Sequence, residues 1–157
     1  MEHYLFKQLQ FVRENTLSQV AGMKEAESRF IPKGFNNNVK WNLGHVYVVN
    51  EKFCFELAGG EAHLHNEFVT LFGTGTMPTE WGNQELPTID ELIQLLSNQL
   101  NRTEQYLEGR LDDEIQPYTT STGLTLSTVK ELISFCLYHE GMHFDAIKSI
   151  NRMIQNK

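Results

Sequence analysis

Apolar residues recur every three or four positions in four long stretches of the chain, which is the spacing of amphipathic α-helices. The first stretch runs from about residue 3 to 28 and closes before Pro32 and Gly34. The second starts after the run Asn36-Asn37-Asn38, where an asparagine can cap free backbone N–H groups, and stops at Gly59-Gly60. The pattern therefore predicts two long helices in this part of the chain.

Two further helices are predicted in the C-terminal half. The third follows Pro87 and ends near Gly109, whereas the fourth begins around Ser127 or Thr128 and runs almost to the C-terminus. Each begins with a pair of residues at the spacing of a capping box, in which two side chains satisfy free N–H groups of the first turn. The pairs are Thr88 with Glu91 and Thr128 with Glu131.

The connection between the second and third helices, from Gly59 to Pro87, is too long for a turn between antiparallel neighbours, so it is expected to cross the bundle. A short amphipathic helix is expected within it, ending before Gly73-Thr74-Gly75-Thr76. The segment from Pro117 to Leu126 is expected to be extended or turn-like. The prediction is an all-α four-helix bundle with a long crossover connection between helices 2 and 3, forming a single domain over residues 1–157.

The composition suits one folded domain and argues against several classes of partner. With 157 residues, of which 40% are hydrophobic and 21% charged, the chain is long enough to bury a sizeable core. Its formal net charge of -7, with no concentrated basic stretch, argues against nucleic acid as a partner. No stretch approaches the roughly 20 apolar residues of a membrane span. We therefore expect neither a nucleic-acid nor a membrane partner.

The N-terminus and the cysteines favour a cytoplasmic location. Residues 1–8 lack the basic start and apolar run of a secretion signal. Cys54 and Cys136 each lie inside an apolar helical pattern, which favours two buried thiols over a disulfide. The chain is therefore predicted to be a soluble cytoplasmic protein.

Two histidines, His139 and His143, interrupt the apolar stripe of the last predicted helix. Residues four apart lie on one helix face, so two imidazoles can converge there on a single divalent ion. A buried imidazole without a hydrogen bond or a ligand costs about 1 to 3 kcal/mol, and this helix would carry that cost twice. The stripe consists of Val129, Leu132, Cys136, His139, His143, Ala146, Ile150 and Met153.

The segment from His139 to His143 also matches the H-E-x-x-H motif of zinc proteases, in which the glutamate activates water. Those enzymes take their third ligand from downstream, but the 157 - 143 = 14 residues after His143 contain no histidine, glutamate or cysteine. Gly141 also weakens the helix by about 1 kcal/mol, which suggests close packing or space for a ligand. The rest of the chain therefore disfavours a protease.

His45 is the best candidate for a third ligand. It lies on the otherwise apolar second helix, beside Gly44, which allows another helix to approach closely. A single histidine on an apolar face is more often a core residue than a ligand. His139 and His143 favour the interpretation of His45 as a ligand, because three buried histidines in one small bundle are hard to satisfy by ordinary hydrogen bonds.

These residues resemble a known family. A Trp-x-x-Gly-His segment at Trp41 to His45, and the His-x-x-x-His pair on the last helix of a four-helix bundle, are similar to the DinB/YfiT-like superfamily, which includes bacillithiol transferases. The resemblance covers essentially the whole chain. It implies a site in which His45, His139 and His143 bind zinc, nickel or a similar divalent ion. Members often have a Gly-Gln pair after the last ligand, where this chain has Asp145-Ala146.

The resemblance also implies an activity. Some members are described as thiol S-transferases or metal-dependent hydrolases, and many have no established activity. Three imidazoles leave a tetrahedral ion one position for a thiol or a water. The expected function is metal-dependent transfer of a small thiol onto a small electrophilic substrate. The alternatives are hydrolysis of an amide or ester, and a non-catalytic helical protein that works through its bundle or dimer face. A homodimer is plausible for this fold.

Four other residues have a weaker claim to a role in a site. Glu140 is the carboxylate nearest to the histidine pair in sequence, and it is either a base or a residue behind the ligands, or a charge unrelated to the site. His63 and His65 could form a second metal site only in an extended loop. Cys136 shares the helix face of the histidine pair and is a candidate fourth ligand, although most such cysteines fill the core.

Overall fold

The computed structural model describes residues 3–156, and most of them are helical. Two short irregular turns interrupt the connections, a π-helical turn at Lys52–Glu56 and a 3₁₀ turn at Pro78–Glu80. Two strands form one hairpin before the last helix. In chain order the elements are α1 (Tyr4–Ser18), α2 (Glu25–Ser28), α3 (Val39–Glu51), α4 (Asn66–Phe72), α5 (Ile89–Leu107), β1 (Glu114–Thr119), β2 (Thr125–Thr128) and α6 (Val129–Gln155).

Helix α3 lies at the centre of the fold, because every one of its residues is buried. It packs against α5 and α6, and α1 packs against the same two helices. The side chain of Asn38 caps α3, since its Oδ1 accepts a hydrogen bond from the backbone N–H of Trp41 at 2.8 Å. The predicted start of the second helix is therefore confirmed.

The first helix is shorter than the apolar spacing predicts. It ends at Ser18, not near residue 28, and only the short α2 follows. Gly22 has a φ of 74°, a left-handed conformation that cannot continue a right-handed helix and that glycine adopts without a steric penalty. The apolar positions before and after this glycine belong to different elements, so their continued spacing is misleading.

Residues 114–128 form an antiparallel hairpin, so the segment expected to be extended or turn-like contains two strands, and the fold is mostly helical with a small sheet rather than purely α-helical. Tyr118 pairs with Leu126 and Thr119 with Thr125, and the loop closes through a hydrogen bond from the N–H of Thr120 to the carbonyl of Leu124 at 2.8 Å. Threonine is β-branched and favours strands, which explains why this segment does not become helical. The second strand runs directly into α6.

The two predicted capping boxes are realised to different degrees. At α5, the N–H of Thr88 donates to Glu91 Oε2 at 2.6 Å, and the N–H of Glu91 donates to Thr88 Oγ1 at 3.2 Å. At α6, Glu131 Oε2 accepts hydrogen bonds from the backbone N–H groups of Ser127 and Thr128. At the start of α6, therefore, only the glutamate of the capping box forms its hydrogen bonds.

Four charged or polar side chains are buried among the apolar clusters of the core. We call them the polar layer, and they are Arg13, Glu51, Gln99 and Glu140. On α1, α5 and α6 the layer residue lies between the two main apolar clusters of the core. The helices are therefore joined at mid-length by polar contacts and at both ends by apolar packing.

The crossover connection lies against α3 through α4. A Cβ atom built on Gly44 would lie 2.3 Å from the Phe72 ring, so only glycine permits this approach. The expected close approach at Gly44 is therefore confirmed. Cys54 and Cys136 are free, buried thiols with their Sγ atoms 3.8 Å apart, as expected. Within residues 3–156, no helix is long and apolar enough to cross a membrane.

Two helical glycines allow a matched test of this packing. Gly44→Ala should destabilise the protein by about 1–3 kcal/mol, because the new methyl group overlaps the Phe72 ring. Gly141→Ala should be neutral or stabilise by up to about 1 kcal/mol, because a Cβ there meets no atom within 4 Å and alanine favours a helix. Urea unfolding of both variants measures the difference. Equal stabilities would contradict the close approach.

Candidate metal centre

The structure brings the three predicted histidines together. His45 comes from α3, and His139 and His143 come from one face of α6. A potential ligand atom of each ring lies within 4.8 Å of those of the other two. His45 and His139 are 6% and 7% exposed, so the group is largely shielded from water. Three imidazoles at this spacing could hold one metal ion.

A backbone carbonyl sets the orientation of the His45 ring. Its Nδ1 lies 2.7 Å from the carbonyl oxygen of Phe72, the last residue of α4. A carbonyl can only accept a hydrogen bond, so Nδ1 of the neutral ring carries the proton. The lone pair of His45 is then on Nε2 and is free to bind a metal ion.

An asparagine performs the same role for His143. Its Nδ1 lies 2.7 Å from Asn42 Oδ1. The Asn42 amide nitrogen donates to the Asn38 carbonyl at 2.7 Å and to Asn37 Oδ1 at 3.3 Å, which fixes the amide with its oxygen toward the histidine. Nδ1 of His143 is therefore the donor, and its Nε2 carries the lone pair.

His139 lacks such a partner. Its Nδ1 is buried and has no hydrogen-bond acceptor or donor among the described residues. A buried polar nitrogen without a partner costs about 1–3 kcal/mol, and an ion bound at this nitrogen would supply the missing partner. The unpaired ring and the nitrogen-only donor set both fit a borderline ion such as zinc or nickel.

Burial also keeps the three rings neutral. Burial, and to a smaller extent the charge of the neighbouring histidines, lowers the pKa of His139 to about 4 and that of His143 to about 3. The pKa of His45 is lowered by burial, against a smaller opposing effect of its bond to Phe72. Neutral imidazoles are the form that binds metal ions, so the rings are ready as ligands at pH 7.

Aromatic rings form two walls of the centre. The Trp41 ring stacks on His45 with centroids 4.6 Å apart, and the Phe135 ring lies 6.1 Å from that of His139. Trp41 Nε1 donates to Thr76 Oγ1 at 2.9 Å. The tip of the crossover connection therefore borders the site through Thr76, and its α4 contributes the carbonyl bound to His45.

Comparison with known proteins shows the family and the fold of this chain. The sequence matches the model of the DinB superfamily over residues 8–147. The chain belongs to the DinB superfamily. No curated protein matches the sequence significantly. A solved structure, described as the conserved protein of a locus from Enterococcus faecalis, superposes with a TM-score of 0.72 at 17% identity, over 98% of this chain and 96% of that chain. At this identity the likeness shows the fold alone.

Glu140, the predicted catalytic carboxylate, is bound elsewhere in this DinB-superfamily chain. Its Oε1 accepts from Arg13 Nε at 2.7 Å and its Oε2 from Arg13 Nη2 at 2.9 Å. Both residues are almost completely buried. A side chain about 100° around the helix from His139 points to a different neighbour, and here that neighbour is α1. The geometry therefore gives Glu140 an ion-pair role and no support for a role as base.

Three other candidates lie outside the group of histidines. Cys136 Sγ contacts Cys54 Sγ and does not join the ligand set. His63 and His65 are exposed, and they form no metal-binding group with other histidines, cysteines or carboxylates of residues 3–156. The second metal site considered from sequence thus does not form in the described part of the chain.

Sequence reasoning missed the groups that orient the histidines. Asn42 offered one usable signal, because it is a polar residue on an otherwise apolar helix, one turn before His45. The Phe72 carbonyl offered none, since every residue has a carbonyl and only the packing of α4 selects this one.

Removing the Asn42 side chain should weaken metal binding. Asn42→Ala leaves Nδ1 of His143 without its acceptor, and losses of this kind cost roughly 10–100-fold in metal affinity. Asn50→Ala is the matched control, since Asn50 is buried on the same helix and its amide bonds the Val46 carbonyl. Competition with a chelator measures zinc affinity. Equal affinities in both variants would contradict the orienting role.

The metal-free protein should lose stability as the pH falls. In the unfolded chain, His139 and His143 have a pKa near 6.5. In the folded protein the pKa of His139 is lowered to about 4 and that of His143 to about 3. The free energy of unfolding is therefore highest above pH 6.5 and falls below it, by up to about 1.4 kcal/mol per pH unit for each histidine. Urea unfolding of chelator-treated protein at pH 7 and pH 5 tests this. Equal values would show that the rings are not held neutral.

Proposed function

We propose that this member of the DinB superfamily is a divalent-metal-dependent enzyme that transfers a low-molecular-weight thiol onto a small electrophile. His45, His139 and His143 are the proposed ligands, and zinc or nickel is the proposed ion. The observation that carries the proposal is the set of three neutral, largely buried imidazoles, two of them oriented by hydrogen bonds, with no carboxylate among them. Such a set leaves a coordination position for a further ligand.

Charge favours a thiolate in that position. Three neutral imidazoles do not offset the charge of a divalent ion, and burial makes an uncompensated charge costly. The ion would act as a Lewis acid that lowers the pKa of a thiol or water bound to it. The polar layer supplies no compensation, because Glu140 is already paired with Arg13. An anionic ligand from the substrate is therefore the favoured partner of the site.

The chain's own residues position and shield the reaction. The walls formed by Trp41 and Phe135 exclude water on two sides of the histidines. With an epoxide as electrophile, the thiol sulfur forms a bond to one ring carbon, the carbon–oxygen bond breaks, and the thiol proton ends on the released oxygen. The product contains all the atoms of both reactants, so no other reactant is required.

The pairing of Glu140 with Arg13 supports transfer over hydrolysis. A protease-like mechanism needs a carboxylate that faces the attacking water, and Glu140 faces Arg13. A thiol is acidic enough to lose its proton without such a base. Hydrolysis of an amide or ester is the second candidate, because the same ion would activate water. A structural metal in a non-catalytic protein is the third.

The remaining properties follow the same proposal. The long helices would act as a four-helix bundle that holds the ligands, in a cytoplasmic protein without a nucleic-acid partner. We favour a homodimer, because α1 and α6 expose apolar side chains that the monomer leaves uncovered. These side chains are Tyr4, Phe11, Tyr138, Met142 and Met153.

The test is conjugation by metal-loaded protein. Protein prepared without an affinity tag should bind about one zinc or nickel ion per chain and accelerate the reaction of bacillithiol with monochlorobimane or an epoxide. Cysteine, coenzyme A and glutathione are the comparison thiols. His143→Ala should lose the ion and fall to the uncatalysed rate, because the ligand set is broken. His65→Ala, which removes an exposed histidine, should keep both properties.

Three outcomes would contradict the proposal in different ways. No bound ion after incubation with zinc or nickel would remove the metal centre. A metal-dependent hydrolysis of activated esters without thiol transfer would replace the transferase by a hydrolase. A bound ion with neither activity would leave a structural site.

A further inference from the structure

The polar layer forms a chain of contacts between the two helices that carry the histidines. On α6, Glu140 receives two hydrogen bonds from Arg13 of α1. Arg13 also donates to the Leu96 carbonyl and, through Nη2, to Gln99 Oε1 at 3.3 Å, both on α5. One guanidinium thus joins three helices.

Gln99 continues the chain to α3. Its Nε2 donates to the Tyr47 carbonyl at 2.9 Å and to Glu51 Oε1 at 3.0 Å. The Glu51 carboxylate also accepts from Arg102 Nη1 at 2.8 Å. The amide of Gln99 therefore uses its oxygen toward Arg13 and its nitrogen toward α3, an arrangement that neither glutamate nor a hydrophobic residue can reproduce.

Both ends of this chain lie next to proposed ligands. Glu140 directly follows His139 and precedes His143 by three residues, and Tyr47 is two residues from His45. A helix turns as a unit, so holding one residue of a turn fixes the direction of its neighbours. The contacts at Glu140 and Tyr47 therefore hold the helix faces that carry the histidines, whereas Phe72 and Asn42 orient the rings of His45 and His143.

Stability alone does not explain such a layer. Arg13 and Glu140 are 1% and 0% exposed, and burying an ion pair costs desolvation energy that an apolar pair of similar volume avoids. The ion pair fixes the relative orientation of the two helices it joins, because a guanidinium binds a carboxylate in one planar geometry.

We infer that Arg13 and Gln99 are positioning residues that hold α3 and α6 in the register at which His45, His139 and His143 converge on one ion. The inference rests on the metal centre of the proposed function. The bridge preorganises the ligand set before the ion binds, so its loss reduces metal affinity without removing any ligand.

The first test is Gln99→Met, which keeps the side-chain length and removes all three side-chain hydrogen bonds of Gln99. The folded variant should bind zinc roughly 10–100-fold more weakly in chelator competition. Its Co²⁺ complex should have an altered visible spectrum, because the ligand geometry changes. Gln94→Met makes the same substitution at an exposed position of α5 and should match the wild type in both measurements. Wild-type affinity and spectrum in folded Gln99→Met would overturn the inference.

If Gln99→Met does not fold, the pair Arg13→Met and Glu140→Met provides the second test. Each single variant leaves a buried charge unpaired, so the double variant should melt at a higher temperature than either single variant. Its zinc affinity should nevertheless remain below that of the wild type. Full recovery of affinity in the double variant would reduce the layer to a structural role.

The failure of this inference can be told from the failure of the proposed function. Wild-type protein that binds no ion would remove the proposed function, whereas wild-type affinity in these variants removes the positioning role alone.

Discussion

The need to give three largely buried imidazoles a partner constrains the rest of this structure. Two of the rings donate one hydrogen bond each, to the Phe72 carbonyl and to Asn42 Oδ1, and Nδ1 of the third ring has no partner among the described residues. Each bond fixes which nitrogen keeps its lone pair. The arrangement costs free energy in the absence of an ion and recovers it when one binds, so folding and metal binding are linked.

This constraint reaches the backbone through α4. The carbonyl that orients His45 lies at the end of α4, and that helix end reaches α3 only because Gly44 leaves room for the Phe72 ring. The crossover connection is thus part of the site, because it supplies the carbonyl that orients His45 and the hydroxyl of Thr76 that binds the Trp41 ring stacked on His45. A shorter turn between the same helices would leave His45 without its orienting group.

Much of the fold and of the candidate site could be predicted from the sequence, because both depend on local spacing. The capping pair at α5 and the stripe of α6 that carries His139 and His143 are visible as intervals of three and four residues. The end of α1 could not be predicted from apolar spacing, since it depends on the left-handed Gly22. The sequence predicts an extended or turn-like segment at the hairpin but not its strand pairing, because threonine-rich segments are also common in loops.

Glu140 shows where local reasoning ends. Its position in the motif suggested a base beside the metal, yet one residue along a helix is a turn of about 100°, and the neighbour in that direction is decided by the packing of α1. Arg13 lies 127 residues away in the chain, so no interval in the sequence connects the two. The contact with Arg13 occupies both carboxylate oxygens of Glu140 and joins α6 to α1, so we propose that the carboxylate acts on the histidines through the helix that carries them.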